Sequence, residues 1–373
     1  MPSSPLPNDR GREHRRLALN GWPFLCRNEI GLSLMQALHF IKVGKLEWHD
    51  TPDLRVDGQL EAIVRPIAST TCDLDRRIIN GLISFGENFP IGHECVAEVV
   101  EVGGKVKTVR PGDVVVVPWH ISCGVCVECR RGLSAACSSA PGIAGYGIPI
   151  AGRWGGLFSE EVRVPFADGM LVRLPDGVDP VAAASVSDNL TEAYIAVSRG
   201  MAGHPGAPVL VVSSLPSLGL FAVDHAMAAG AARVDFVDAS EERREAARGL
   251  GAYVHAGILP EFDMRFPVVI NVAREPEMLA AAVRCLAPGG HISNAAIFFA
   301  DTPLPLWEMY KRDVTFSTGT ASVSPHLPKV LELLRCGHIH PERLITTHRW
   351  EDATSALLEP DMKPVIVRPR LLA

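Results

Sequence analysis

Residues 122–137, SCGVCVECRRGLSAAC, place Cys123, Cys126, Cys129 and Cys137 at spacings of two, two and seven intervening residues. Four thiolates inside fifteen residues suit one tetrahedral zinc ion, because loops this short wrap all four sulfurs onto a single metal. Two disulfides are the alternative, and they need an oxidising compartment to which nothing in the chain points. Four protein ligands leave no coordination position open. This zinc is therefore expected to be structural, and the chemistry has to be sought elsewhere.

Upstream of the cysteines runs GHECVAEVVEVGGKVKTVRPGDVVVVP (92–118), and downstream come GYGIPIAGRWGG (145–156), VRVPFADGMLVRLP (162–175) and SVSDNLTEAY (185–194). Together with the cysteine spacing, these stretches resemble the zinc-containing medium-chain alcohol dehydrogenase superfamily. They look most like its branch of glutathione-independent formaldehyde, threonine and polyol dehydrogenases. The resemblance covers the chain from about residue 35 to its end. It implies an α/β protein: a GroES-like β-barrel catalytic domain and a Rossmann cofactor domain with a doubly wound parallel sheet.

Composition agrees with a globular protein of two domains. The 373 residues suffice for two cores, with 47% hydrophobic and 21% charged residues. A net charge of −6 argues against a general nucleic-acid binder, and no apolar run approaches the ~20 residues of a membrane span. Nine cysteines without a signal peptide point to the reducing cytoplasm.

Residues 1–34 read as a disordered extension, rich in Pro and Arg at the start and without periodicity. MQALHFIKVGKLEWHD (35–50) then reads as a two-strand hairpin about Val43 and Gly44. Short β-rich segments punctuated by Gly and Pro continue to Asp188, which suggests a barrel-like domain at 35–188, completed by 320–373, with the zinc lobe at about 119–140. From 189 to 319 the pattern becomes strand, helix, strand, helix. PVLVV, RVDFVD, FPVVINVA, HISNAAI and VTFSTG are separated by helical segments, an amphipathic one being expected at 217–229.

A second metal site is carried by the resemblance. Cys72 in STTCDLD, His93 in the Gly92-His93-Glu94 turn and Asp188 in SDNLTEAY lie where the family's catalytic zinc ligands lie. Two anions and one imidazole would neutralise Zn²⁺ and leave one position open for a substrate oxygen. Glu94 is expected as a supporting carboxylate or an exchanging ligand. Asp75 is expected to support the zinc ligands, with Lys363 as its cationic partner, and Trp119 to line the pocket. The implied reaction is hydride transfer between an alcohol, or an aldehyde hydrate, and NAD. Leu74 and Arg77 stand where relatives carry a hydroxyl and a histidine of a proton relay, so the proton must leave by another route.

The cofactor motif departs from its expected form. After the first Rossmann strand the loop reads Ser213-Ser214-Leu215-Pro216-Ser217-Leu218-Gly219, which keeps only the last glycine of GxGxxG. Ser213 can form the tight turn, while Leu215 is expected to put a side chain where close backbone approach is needed. Asp238 ends the second strand, where an acidic residue binds the adenosine ribose and disfavours a 2′-phosphate. Arg243 is expected to touch the same ribose and Thr191 the nicotinamide. The resulting expectation is a dehydrogenase with two zinc ions per chain and NAD, acting on a small alcohol or aldehyde as a homodimer or homotetramer. An aldehyde dismutase with tightly held NAD and a non-catalytic zinc-stabilised Rossmann protein are the alternatives.

Overall fold

The computed structural model describes residues 34–257 and 261–369. The extension expected at 1–34 lies, apart from Leu34, outside the described residues. The chain opens on the expected hairpin: Leu34–Lys42 pairs antiparallel with Lys45–Pro52, and Gly44 takes the left-handed conformation (φ +69°) that the turn requires. The two-residue strand Phe89–Pro90 joins this sheet through His39 and Phe40.

A seven-stranded sheet follows. Its path runs through Ile345–Arg349, Lys363–Val367, Ala62–Thr70, Glu94–Val102, Val114–Val117 and Val172–Arg173, with Val162–Val164 added to Ala62–Thr70. All pairs except the first are antiparallel. The strand from the end of the chain thus lies beside one from its beginning. Val64, Val99, Val117, Tyr146 and Leu157 fill the interior of this half.

The other half is a six-stranded, all-parallel sheet. Its order is Tyr253–Ala256, Val234–Asp238, Val209–Ser213, Phe266–Val272, Leu286–Asn294, Thr315–Thr318. In chain order this is 3-2-1-4-5-6, the doubly wound arrangement whose ligands bind where the strand order reverses. Central strands buried on both faces need continuous apolar runs, and VLVVS is buried at every position.

Three helices position the site: α1 (Asp73–Ile79), α2 (Asn189–Gly203) and α3 (Leu218–Ala228). The sequence reading expected α3 to be amphipathic. Instead residues 218–226 are all buried, because α3 is packed by its own sheet on one side and by α2 on another, where the His225 ring meets Leu190 O at 2.8 Å. Gly219 permits this closeness: a Cβ there would lie 2.4 Å from Ser213 Oγ and 2.6 Å from Ser213 Cβ. The surviving glycine of the loop therefore serves helix–strand packing.

Gly92, which precedes His93, has φ +90°, and a Cβ on it would meet the Phe158 ring at 2.3 Å. Left-handed backbone costs an L-residue about 1–2 kcal/mol, and overpacking a further ~1–3 kcal/mol. Gly92→Ala is expected to lower unfolding free energy by a few kcal/mol in urea titration; an unchanged midpoint would show that the turn relaxes freely.

Candidate metal and cofactor sites

In the cysteine lobe the four sulfurs of Cys123, Cys126, Cys129 and Cys137 all lie within 4.8 Å of one another, and none is in a disulfide. Cys126 Sγ is 3.9 Å from Cys137 Sγ. Tetrahedral zinc with bonds of about 2.3 Å places its sulfurs about 3.8 Å apart, so the donor set fits the ion. Backbone N–H groups already face the sulfurs: Cys126 N donates to Cys123 Sγ and Cys123 N to Cys137 Sγ, both at 3.3 Å. The backbone N–H of Cys129, with smaller help from Ser138, draws the Cys126 thiol down to about 6, which favours the thiolate a metal needs.

The second cluster forms where α1 begins. Cys72 is the N-cap of α1; its sulfur accepts from Leu74 N at 3.1 Å, and Asp75 returns a carboxylate oxygen to Cys72 N at 3.1 Å. His93 arrives from the turn after Gly92. The ligand atoms of Cys72, Asp75 and His93 lie within 4.8 Å of one another, and all three residues are buried. Asp188, expected as the third ligand, ends the segment before α2 and stands on the other side of the imidazole. His93 Nε2 is 3.4 Å from Asp188 Oδ2, and Nδ1 is 3.3 Å from Asp75 Oδ1. Two donor sets thus meet at one histidine.

Burial pushes the Cys72 thiol far up. Burial would lower His93, but the charges of Asp75 and Cys72 and the hydrogen bond with Asp188 override it and hold the imidazole well above its usual value. His93 Nδ1 and Asp75 Oδ1 are both buried and face each other at 3.3 Å. A buried thiol, an imidazole and carboxylates on both sides of it are the sulfur, nitrogen and oxygen donors that zinc takes, so the residues fit the ion.

Glu94 and Lys363 form a fully buried ion pair beside this cluster. Lys363 Nζ donates to Glu94 Oε2 and, at 2.7 Å, to Thr71 O. Glu94 Oε1 accepts from Asn189 N at 2.8 Å and Ser185 Oγ at 2.9 Å. Burial pushes the Glu94 carboxyl up, to about 7, even with the ammonium against it. The sequence reading placed Lys363 beside Asp75; the lysine lies against Glu94 instead, which leaves Asp75 to Cys72 and His93. Trp119 packs edge-on to His93 and donates Nε1–H to Ala321 O at 3.0 Å.

The cofactor residues are more altered. Leu215 does not project into the loop's approach path: it turns into the core and is 7% exposed. Ser213 Oγ accepts from Leu215 N at 3.3 Å, which closes the turn. Thr191 is fully buried, with its hydroxyl donated to Val186 O at 2.6 Å. Asp238 is fully buried too, clamped by Arg243 through Nε (2.8 Å) and Nη2 (2.6 Å) and receiving Ser240 N–H at 2.8 Å. Arg243 therefore lies on the carboxylate and neutralises it.

One residue that sequence reasoning did not single out stands at the centre of this region. Asp73, between Cys72 and Leu74, reaches the loop before α3, where Ser217 N and Leu218 N donate to its carboxylate at 3.2 and 2.9 Å. Only its acidity in STTCDLD could have signalled it, since its partners lie 144 and 145 residues away. A dinucleotide thus meets a sheet of the right topology, with the Asp73 carboxylate resting on the N–H donors at the start of α3.

A cavity of about 600 Å³ lies between the cysteine lobe, α2 and residues 318–326, with Leu133, Ile195, Arg199 and His326 in its wall. Its wall includes Cys137 of the lobe and none of Cys72, Asp75, His93 and Asp188. A space of about 20 Å³ shares Ile195, Arg199, Gly319 and Thr320 with it and reaches Glu192, one turn along α2 from Asp188. Burial, with the charges of Asp188 and Asp73 adding to it, pushes the Glu192 carboxyl well up. No helix among the described residues is long and apolar enough to cross a membrane.

Comparison with known proteins agrees with this geometry. Residues 58–176 match the alcohol dehydrogenase GroES-like domain family and residues 217–335 the zinc-binding dehydrogenase family. The solved alcohol dehydrogenase TADH from Thermus sp. ATN1 superposes with a TM-score of 0.83 at 30% identity, over 90% of this chain and 100% of that one. The NADP-dependent isopropanol dehydrogenase of Thermoanaerobacter brockii is 28% identical over 84% of this chain and 91% of its own. The glutathione-independent formaldehyde dehydrogenase of Pseudomonas aeruginosa (strain LESB58) is 34% identical over 51% of this chain and 49% of its own. The chain belongs to the zinc-containing alcohol dehydrogenase superfamily.

Removing one partner of a buried ion pair costs about 3–5 kcal/mol. Lys363→Met is therefore expected to destabilise by that order in chemical denaturation. The loss is expected to be larger at pH 8 than at pH 5. Without the ammonium the folded-state pKa of Glu94 lies still further above its unfolded value, so the folded form binds more protons and loses stability as pH rises. A pH-independent deficit would count against this account.

Proposed function

We propose that the chain is a zinc-dependent oxidoreductase that transfers hydride between a small alcohol, or an aldehyde hydrate, and NAD. The observation that carries the reading is the buried meeting of Cys72, Asp75 and His93 with Asp188 across the imidazole. In this reading Cys72, His93 and Asp188 hold the catalytic zinc, Asp75 orients His93, and the cysteine lobe holds a second, structural zinc. When bound, zinc supplies a Lewis acid for the substrate oxygen, and the nicotinamide supplies the hydride acceptor.

The chain's own residues do the rest. The Gly92 turn fixes the imidazole, the Trp119 ring closes one side of it, and the Glu94–Lys363 pair ties the segment leading into α2 to the strand at the chain's end. No hydroxyl stands at Leu74. The carboxyl of Glu192, raised by burial and bordering the small cavity, supports a proton route along α2 in place of the missing relay. NAD is favoured over NADP by the acidic residue at the end of the second strand, although Arg243 offsets its charge. The free thiols suit a reducing cytoplasm, and the protein works as a dimer or tetramer.

Zinc analysis with an NAD-linked alcohol and aldehyde screen tests the reading. About two zinc ions per chain are expected. Asp188→Ala should lose one of them together with activity while staying folded. Asp75→Asn should keep that metal with roughly 10–100-fold weaker affinity. Cys126→Ala should chiefly lose thermal stability. Loss of the second zinc in Asp75→Asn but not in Asp188→Ala would reverse the ligand assignment.

A further inference from the structure

We propose that Asp73 sets this chain's affinity for a dinucleotide by holding, with its own carboxylate, the helix N-terminus that the pyrophosphate would take. In a doubly wound sheet the helix after the first strand points its unpaired N–H groups and positive dipole end at the cofactor's phosphates. That helix here is α3. Asp73 Oδ1 receives Ser217 N at 3.2 Å and Ser217 Oγ at 2.8 Å; Oδ2 receives Leu218 N at 2.9 Å and Ser217 N at 3.2 Å. Ser217, the N-cap residue, makes no side-chain cap of its own and gives its hydroxyl to Asp73. The carboxylate is the cap, supplied by the other half of the molecule, and Asp73 is 4% exposed.

Two anions cannot share these donors. A pyrophosphate must displace Asp73, and Asp73 belongs to α1, directly after the metal-site residue Cys72. Displacement therefore separates the start of α1 from the start of α3. The metal cluster is linked to the same contact from its other side, because the Asn189 side chain, next to Asp188, lies 3.2 Å from Ser217 Oγ. Cofactor entry and the geometry of the metal site are thereby coupled through one carboxylate. Asp73 is in this sense a positioning and affinity-setting residue that touches the phosphate position and not the reacting atoms.

The inference rests on the dinucleotide reading above, and calorimetric titration of the full-length zinc-loaded protein with NAD and, separately, with inorganic pyrophosphate tests both. Asp73→Asn keeps the side-chain shape and removes the charge; Asp73→Ser, which retains a short cap, serves should the first variant misfold. Removal of the charge is expected to tighten both ligands about tenfold or more. If the wild type binds NAD and the variants bind it equally while melting at lower temperature, Asp73 is a structural cap only and the inference is overturned, with the proposed function intact. If pyrophosphate tightens tenfold but no form binds NAD at millimolar concentration, the role of Asp73 at the helix stands and NAD is removed from the proposed function.

Discussion

The buried ion pair between Lys363 and Glu94 is the constraint around which the antiparallel half and its candidate metal site are assembled. Its four attachment points are Lys363 near the chain's end, Thr71 beside Cys72, Glu94 beside His93, and the Ser185–Asn189 segment that carries Asp188. One neighbour each of Cys72, His93 and Asp188 is thus tied to one pair. Burying two charges is expensive, and an apolar pair of equal volume would often be as stable. What the pair adds is position: the ammonium has three N–H donors, and holding Thr71 O and Glu94 Oε2 with two of them brings the two segments to one point. The antiparallel placement of Lys363–Val367 against Ala62–Thr70 brings the lysine there, so the chain's end helps to build a site formed mostly by its first half.

Local spacing made part of this legible in the sequence and distance hid the rest. The four lobe cysteines fall within fifteen residues, so their meeting needs only short loops, and the spacing alone indicates it. The parallel sheet was legible for a similar reason: fully buried strands such as VLVVS read as unbroken apolar runs. The hairpin about Gly44 is equally local. Cys72, His93 and Asp188 are separated by twenty-one and ninety-five residues, and only resemblance to a family joined them. Even then the roles of the two aspartates around His93 could not be read from their order in the chain.

Contacts between the halves were not legible. An amphipathic pattern was expected for α3 because its sheet face was foreseen and its cover by α2 was not. Leu215 drew suspicion from the glycine motif, where a side chain in the loop reads as an obstruction. In three dimensions a leucine in a tight turn can point inward as well as outward, and this one joins the core. The obstruction comes from Asp73, whose sequence neighbours are all part of another motif. Lys363 was assigned to the wrong carboxylate for the same reason, since Asp75 and Glu94 converge on one region and a sequence does not order their depth.

Energetics decide what the Asp73 contact means for the cofactor. Hydrogen bonds to a charged group contribute about 1.5–3 kcal/mol each, and a helix cap about 1 kcal/mol. A dinucleotide that displaces Asp73 gives up contacts of this size and leaves a carboxylate needing new partners or water. If the open form is populated at only a few per cent, apparent affinity falls by the same fraction, because a ligand's apparent Kd is its intrinsic Kd divided by the competent population. The Arg243 clamp on Asp238 adds a second closed contact at the adenosine end. The two contacts differ in kind. Arg243 can swing from the carboxylate to a ribose or phosphate and keep an anion as partner, whereas Asp73 has to retreat from one. On this account the cost of cofactor entry lies at the pyrophosphate position, although the glycine loop turns cleanly, and the energy needed to open that position is set by Asp73, next to Cys72 in the other half.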